Sequence, residues 1–262
     1  MNAKPASGAW LGRITLYQIL LLLAMLAAWH VLVQLRILPA FFFGEPLKVL
    51  WQIWRWFSTG VIYPHLGITL LETLLAFFAG LILGVAAGLW LGLSNTASLL
   101  LDPYIKALNA MPRVILGPIF VVWFGLGIWS KVMLGVTLVF CIVFFNVFQG
   151  VREVSPNILA SARMLGASRR QLLRTVYLPS ATSWVFSSLH TSVGMAFVGA
   201  VIGEYLGSAK GVGYLILQAE AVFDVNSVFA GIIVLTLFAL ALDACVTMIE
   251  KRLLVWRPTA SS

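Results

Sequence analysis

Long runs of apolar residues, separated by short polar stretches, dominate the pattern of this 262-residue chain. Each run is long enough for a helix that crosses a bilayer, which needs about 20 mainly apolar residues. No stretch alternates polar and apolar residues as the strands of a membrane barrel do. The pattern predicts an all-α membrane protein with six transmembrane helices, at about 14–34, 66–93, 104–126, 132–149, 180–202 and 226–249.

Composition supports an integral membrane protein. Hydrophobic residues make up 61% of the chain and charged residues 10%, whereas a soluble domain carries roughly 25% charged residues. Cys141 and Cys245 both fall within predicted spans, so a disulfide framework is not expected. His30, His65 and His190 are scattered without acidic residues at ligand spacing, and we therefore predict no metal site.

The distribution of positive charge predicts the topology. The net charge is +8. If the N-terminus is cytoplasmic, ten Lys and Arg residues lie on the inner side and five on the outer side, leaving out Lys106 and Arg113, which fall within a span. The positive-inside rule then places both termini in the cytoplasm. The first apolar run is too long for a signal peptide, so we read it as a retained span.

Four segments are predicted along the chain. Residues 1–13 form a short tail, 14–64 hold the first span and an outer-surface amphipathic segment, 65–257 hold the remaining spans, and 258–262 form a second tail. The amphipathic segment is interpreted as a helix lying at the membrane surface, and a short helix packed on neighbouring spans is the alternative. Its apolar face consists of Leu47, Leu50, Trp51, Trp54 and Phe57.

Two patterns within the spans concern helix packing. Glycine recurs every fourth residue from Gly80 to Gly92, which predicts a groove for close approach of another helix from this chain or from a second copy. Asp102-Pro103 is predicted to open the third span. Pro112 and Pro118 should break that span, either as a simple kink or as a break facing a solute path.

The polar loop at residues 150–178 is predicted to fold as helix, glycine turn and helix. Ser155 can cap the first helix, and Gly166 suits a left-handed helix stop. Ser168 can cap the second helix, which Pro179 should end. Arginines alone would also fit an ordinary positive-inside loop that holds anionic lipid headgroups.

The spacing of this loop resembles a known motif. Ala160-Ser161-Ala162 is followed after three residues by Gly166, and after nine more by Val176-Tyr177-Leu178-Pro179. This is similar to the cytoplasmic EAA loop of ABC importer permeases, except that Ala160 stands where the family has Glu. The wider chain resembles the nitrate/sulfonate/taurine group of binding-protein-dependent inner-membrane permeases. The supporting stretches are Asp102-Pro103-Tyr104, Met111-Pro112, Trp123 to Gly127, Ser130-Lys131, Leu165 to Ser168, Gly203-Glu204, Gly211 to Tyr214, and Glu250 to Leu254.

The resemblance implies a type I importer permease in the bacterial inner membrane, with residues 65–257 as its transmembrane domain. It would work as a pair of permease subunits, either two copies of this chain or a hetero-pair, with a cytoplasmic ATPase subunit and a periplasmic or lipid-anchored solute-binding protein. Its solute would be a small organic anion. This chain carries no G-x-x-x-x-G-K-[ST] loop, so ATP and Mg would be bound by the ATPase, and we expect no enzyme activity or cofactor here. The resemblance implies coupling through Ser161, Ala162, Arg163, Leu165, Gly166, Ala167 and Ser168.

Other polar residues are weaker candidates. Glu204 starts a Gly-rich segment that would face the binding protein, as the resemblance implies. Glu72 and Asp243 fall within spans, where an ionisable group is costly and either contacts solute or forms a buried structural pair. The candidate residues of the translocation path are Asn109, Met111, Ser192 and Met195.

Two other functions are weighed against the importer. A secondary transporter working without ATP is disfavoured because the two halves show no internal symmetry. A non-transporting membrane scaffold would bind a partner through the arginine loop but move no solute. Nucleic acid is not expected as a partner, since the positive charge follows topology.

Overall fold

The computed structural model describes residues 8–253, with side chains for residues 13–252. This part of the chain is almost entirely helical, which confirms the all-α prediction. Five helices are long and apolar enough to cross a membrane, and a bent pair would make a sixth span. The predicted tail 1–13 lies partly outside the described residues, and residues 8–13 already belong to the first helix. The tail 258–262 lies wholly outside them. The helices are α1 (Gly8–Gln34), α2 (Ala40–Phe43), α3 (Pro46–Ser58), α4 (Ile62–Leu93), α5 (Asn95–Ala110), α6 (Leu116–Phe124), α7 (Ile128–Arg152), α8 (Pro156–Met164), α9 (Arg169–Leu172), α10 (Leu178–Ser187), α11 (Leu189–Leu206), α12 (Val212–Ala221) and α13 (Val225–Leu253).

The first of two compact units comprises Met1–Val61 and Ile216–Val234. Within it, the backbone N–H of Glu45 donates to the Asn226 side-chain oxygen at 2.7 Å. The rings of Trp29 and Phe229 lie 5.6 Å apart. These contacts explain why residues 216–234 group with the N-terminal helices. The predicted segments, divided between residues 64 and 65, assign 216–234 to the second segment instead.

Helix α3 leaves its predicted apolar face uncovered. Trp54 is 71% exposed and Leu47 65% exposed, while Val49 and Trp56 are buried. The guanidinium of Arg55 lies 5.5 Å from the centre of the Trp51 ring. An exposed row of tryptophan and leucine side chains is typical of a helix at a membrane surface, and this location stays a prediction.

The second unit, Ile62–Leu215 with Leu235–Ser262, contains the helix pair α4 and α7. The glycine row of α4 packs on a valine row of α7. A methyl group added at Gly80, Gly84, Gly88 or Gly92 would lie 2.6–2.8 Å from a valine Cβ. The close approach predicted for this groove is therefore made by a helix of the same chain. The valines are Val139, Val143, Val147 and Val151.

Nearer its start, α7 also packs on α11, again through glycines. A Cβ at Gly199 would lie 2.5 Å from the Gly135 backbone, and a Cβ at Gly203 would meet the Lys131 side chain. The buried core lies along α7 and includes Ala76, Val136 and Ala196. Helix α7 is thus held between α4 and α11 at backbone-to-backbone distances, which leaves little room for these three helices to slide.

The third predicted span is a bent pair of helices. Helices α5 and α6 meet at 78°, at the break that Pro112 was expected to cause. The predicted opening at Asp102-Pro103 is wrong, because α5 begins at Asn95 under a Ser94 cap and contains Pro103. The Ser94 hydroxyl accepts the Ala97 N–H at 3.3 Å and so caps the start of α5.

The fifth predicted span, 180–202, also begins differently. Helix α10 ends at Ser187, and α11 runs from Leu189 to Leu206 after a break at Ser188. The Ser188 hydroxyl donates to the Val185 carbonyl at 2.9 Å. A serine that bonds its own preceding turn competes with the helix ladder, which accounts for the break.

Candidate functional site

The loop between α7 and α10 has the helix–glycine–helix form predicted for it. The predicted cap at Ser155 is wrong, because its side chain makes no capping hydrogen bond at the start of α8. Helix α8 ends at Met164, and Gly166 follows with φ +81°. The Gly166 N–H donates to the Arg163 carbonyl at 2.9 Å, and the Ala167 N–H donates to the Ala162 carbonyl at 3.0 Å. These bonds close the end of α8, and a left-handed residue is required to make them.

The turn presents two apolar side chains to the surroundings. Leu165 is 89% exposed and Met164 is 82% exposed. Nothing lies within 4 Å of the position that a Gly166 side chain would occupy. In a loop rich in arginine, adjacent exposed apolar residues are typical of a surface that another protein covers. Of the seven residues predicted to couple, Leu165 is therefore the most prominent at the tip.

The second half of the loop begins with a complete capping box. The Gln171 N–H donates to the Ser168 hydroxyl at 3.3 Å, and the Ser168 N–H donates to the Gln171 side chain at 2.7 Å. The prediction that Pro179 ends this helix is wrong. A π-helical turn over Leu173–Tyr177 leads directly into α10, because the wider turn accommodates a proline that lacks an N–H.

Three arginines of the loop surround a pocket. Arg163, Arg169 and Arg170 line a cavity of about 480 Å³ beside the end of α4. Leu93 and Tyr177 supply apolar surface on the same wall. Since none of these arginines pairs with a carboxylate among the described residues, the loop carries a concentrated positive charge next to its apolar tip.

The predicted path residues fall into two groups. Asn109 and Met111 lie exposed at the break between α5 and α6, where Arg113 donates to the Asn109 side-chain oxygen at 3.1 Å. Ser192 is buried with an unpartnered hydroxyl, and Met195 is half-buried on the next turn of α11. Asn109 and Met111 are therefore accessible from outside the chain, whereas Ser192 is covered by its own chain, and the role of all four residues in a path stays a prediction.

A cluster of charged side chains that the sequence did not predict as a unit lies between α4, α7 and α11. Glu72, Lys131 and Glu204 are each at most 1% exposed. The Lys131 ammonium donates to the carbonyls of Leu126 at 2.6 Å and Gly127 at 2.8 Å. It also lies close enough to both carboxyls to interact with them electrostatically.

Glu204 binds its own chain and is not exposed on a surface. The Thr69 hydroxyl donates to one of its carboxyl oxygens at 2.6 Å, and the Gly213 N–H donates to the other at 2.8 Å. A side chain at Gly211 would collide with the carboxyl. This corrects the prediction that Glu204 faces a binding protein, because the carboxyl instead anchors the segment that follows α11.

Sequence reasoning missed Lys131 and Thr69 as members of this cluster. The predicted topology places Lys131 among the five outer-side Lys and Arg residues, whereas in the structure it lies at the start of α7 and is fully buried. Thr69 carried no charge that could have distinguished it. The available signal was the proximity of Glu204 to two glycines, Gly211 and Gly213, which is typical of a backbone that closes around a carboxylate.

A second polar group joins α11 and α13. The two ring nitrogens of His190 lie 2.7 Å from Asp243 and 2.9 Å from Glu250. The sequence spacing gave no indication of this contact. Within residues 8–253, no group of His, Cys, Asp and Glu is arranged to hold a metal ion.

Comparison with known proteins identifies the family. The sequence model of one protein family, the binding-protein-dependent transport system inner membrane component, matches residues 80–255. A putative aliphatic sulfonates transport permease of Bacillus subtilis is 32% identical, over 91% of this chain and 87% of that protein. The taurine transport system permease of Escherichia coli is 29% identical, over 90% and 87%.

Solved structures show the same fold. An inward-facing form of the MetNI methionine ABC transporter matches with a TM-score of 0.64 and 17% identity, covering 74% of this chain and 97% of the matched chain. A second inward-facing form matches with a TM-score of 0.62 and 16% identity, covering 72% and 94%. The predicted type I permease architecture is confirmed by this match.

Proposed function

Because the chain belongs to the family of binding-protein-dependent transport system inner membrane components, we propose that it forms the solute path of an ATP-driven importer and is driven through its 150–178 loop. The observation that carries the proposal is the tip at Leu165. An exposed apolar side chain, held by a glycine turn between the closed end of α8 and the capped start of α9, is built to enter a groove on a partner protein.

The partner at this loop is a cytoplasmic ATPase subunit, which binds ATP and Mg. The capped ends of α8 and α9 make the tip rigid, so a movement of the ATPase would be transmitted to the membrane helices without being absorbed in the loop. The π turn and α10 connect the loop to the core without a break, and the Ser180 hydroxyl donates to the Gly150 carbonyl of α7 at 2.7 Å. The loop is therefore attached to the central helix α7 at both its ends.

A second copy of the chain completes the path. Helices α5 and α6 expose many large apolar side chains, among them Leu99 at 73%, Val122 at 82% and Trp123 at 70%. Exposed apolar surface contacts either lipid or another subunit, and a break with exposed polar Asn109 is poorly suited to lipid. We place this face against the second copy, with the path between the two.

The solute is a small anion of the nitrate, sulfonate or taurine type or another small organic anion, delivered by a periplasmic or lipid-anchored binding protein. Support comes from the relatives, two of which are named for aliphatic sulfonates and for taurine. The same set includes a riboflavin permease of Chloroflexus aurantiacus, 31% identical. Selectivity within the group therefore resides partly outside the shared fold.

The test is purification of the chain from its native membranes in mild detergent, followed by identification of the proteins that accompany it. We expect an ATPase subunit, which should be lost from Leu165→Asp. The control is Lys251→Gln on the exposed end of α13, which lowers the net charge by the same one unit and should keep the ATPase. Recovery of the ATPase with both variants would contradict docking at Leu165. A chain that purifies alone and moves solute without ATP would favour the secondary transporter.

A further inference from the structure

Arg113 is an unpaired cation at the break between α5 and α6. It begins a short 3-10 turn, Arg113–Ile115, directly after Pro112. One terminal nitrogen donates to the Asn109 side-chain oxygen at 3.1 Å, whereas its Nε is buried without a hydrogen-bond partner. No carboxylate forms an ion pair with it in the described part of the chain.

The depth of Arg113 follows from its neighbour on α7. The short turn that begins at Arg113 packs on α7, and the Arg113 guanidinium is a neighbour of the Cys141 side chain, which lies near the middle of α7 (Ile128–Arg152). At 1.5 Å per residue, Cys141 is about 20 Å from one end of that helix and about 17 Å from the other. The guanidinium therefore lies near mid-depth in the helical bundle.

A cation at this depth without an acidic partner is costly in a membrane protein, and such residues usually face a solute path. The nearby cation Lys106 gives a contrast, since its ammonium pairs with Asp102 at 2.6 Å on the surface of α5. Arg113 lacks such compensation. It also retains guanidinium donors that Asn109 does not use, because arginine has five N–H groups.

The surroundings of Arg113 suit a small anion. Asn109 and Met111 are exposed beside it, so the side chain is reachable from the open face of the bent pair. Helix α6 begins three residues later, at Leu116, and directs its positive N-terminal end toward the break. Planar guanidinium forks bind sulfonate and carboxylate oxygens in pairs, and broken helices at mid-membrane are a recurring setting for solute sites.

We propose that Arg113, oriented by Asn109, binds the anionic group of the solute at the midpoint of the translocation path. This inference rests on the proposed function, because it needs a path along the α5–α6 face. It adds the residue that makes the path selective for anions, at a position where only Asn109 and Met111, as polar or adaptable residues within a span, were predicted from the sequence.

The first test measures charge selectivity at the break in the chain itself. Met111→Cys is introduced with exposed Cys245 changed to Ser, while Cys141 is buried and is left in place. All rates are expressed relative to the rate of the same reagent with a free thiol in solution. On this scale a sulfonate-bearing methanethiosulfonate should label Cys at 111 about tenfold faster than its trimethylammonium counterpart, because a fixed cation concentrates anions. Arg113→Gln should abolish the preference and Arg113→Lys should retain it. Equal rates for both reagents with Arg113 present would overturn the proposal.

The second test uses the assembled importer in proteoliposomes, with ethanesulfonate as the probe anion. Saturating ethanesulfonate should protect Cys at 111 from labelling, and Arg113→Gln should remove that protection. Lys106→Gln, on the same helix pair, should change neither result. Protection that is unaffected by Arg113→Gln, or absent with Arg113 in place, would overturn the assignment.

The two proposals fail in different ways. If the chain neither retains an ATPase nor couples solute movement to ATP, the importer function fails, whatever the labelling shows. If the importer transports ethanesulfonate and Arg113→Gln does so at the unaltered rate, the importer stands and the role of Arg113 is lost. Conversely, Arg113→Gln that loses uptake of ethanesulfonate while keeping binding-protein-stimulated ATP hydrolysis supports the role of Arg113 in solute binding.

Discussion

Gly84 of α4 lies against Val143 of α7 so closely that a methyl group on the glycine would come within 2.8 Å of the valine Cβ. The same relationship repeats one turn away at Gly88 and Val147. Two rows of i, i+4 residues are therefore in register along two helices. The register brings the backbones together, and dispersion contacts along the whole interface stabilise the pair.

Adding a methyl group at Gly84 in the groove of α4 should destabilise the fold. Gly84→Ala should cost about 1–3 kcal/mol, because the added methyl overpacks a rigid helix contact. Gly67→Ala is the matched control, since it lies on the same helix and nothing is within 4 Å of its added methyl. Thermal unfolding in detergent measures both. Equal melting temperatures for the two variants would show that the helices separate easily.

Removing the Lys131 cation from the buried cluster should destabilise the fold more than removing the cation together with the Glu72 carboxylate. Lys131→Met leaves two buried carboxyls without their cation, at a cost of about 3–5 kcal/mol. Adding Glu72→Gln to Lys131→Met should restore part of the stability. A double-mutant cycle on unfolding free energies measures the coupling. Simple additivity would contradict an electrostatic link between these residues.

The anchoring of the segment after α11 can be tested at Glu204. Thr69→Val removes one hydrogen bond to the carboxyl and should cost about 1 kcal/mol. The affected segment begins at Gly211, so hydrogen exchange at the Gly213 N–H should accelerate in this variant. Thr182→Val provides the control, because its hydroxyl bonds only the Leu178 carbonyl of its own helix. Unchanged exchange at Gly213 in Thr69→Val would contradict the anchor.

Substitutions at two glycines with positive φ can distinguish the cost of backbone strain from the cost of a side-chain collision. Gly211 has φ +112° and faces the Glu204 carboxyl, while Gly125 has φ +72° with nothing within 4 Å. Ala at either position is strained by its backbone, at about 1 kcal/mol or more. Gly211→Ala should lose clearly more stability than Gly125→Ala, because it also displaces a buried carboxyl. Equal losses would mean that the segment moves freely.

The sequence predicted local features well where one residue type determines the backbone. Gly166, the cap at Ser168 and the break at Pro112 all appear where expected, since each follows from the conformational limits of a single residue. Pro179 and Pro103 show the limit of such rules. The surrounding helix accommodates Pro179 with a π turn, and Pro103 lies within α5 instead of at its start.

Contacts between distant segments could not be read from the sequence. Glu204 meets Thr69 across 135 residues, and His190 meets Glu250 across 60. When transmembrane helices have polar residues at only one or two positions, the same sequence pattern is compatible with several ways of packing the helices together. The fold class and the loop were therefore predictable, whereas the buried cluster, the partner of the glycine row and the environment of Arg113 required the structure.

The central claim is that the loop tip transmits the action of an ATPase to the membrane helices. The most direct measurement is ATP-driven solute uptake, together with ATP hydrolysis, in proteoliposomes that contain the complete importer. Gly166→Pro should abolish uptake while the chain remains folded in the membrane, because proline cannot adopt φ +81° and the tip would be lost. Uptake at the unaltered rate in Gly166→Pro would contradict the claim.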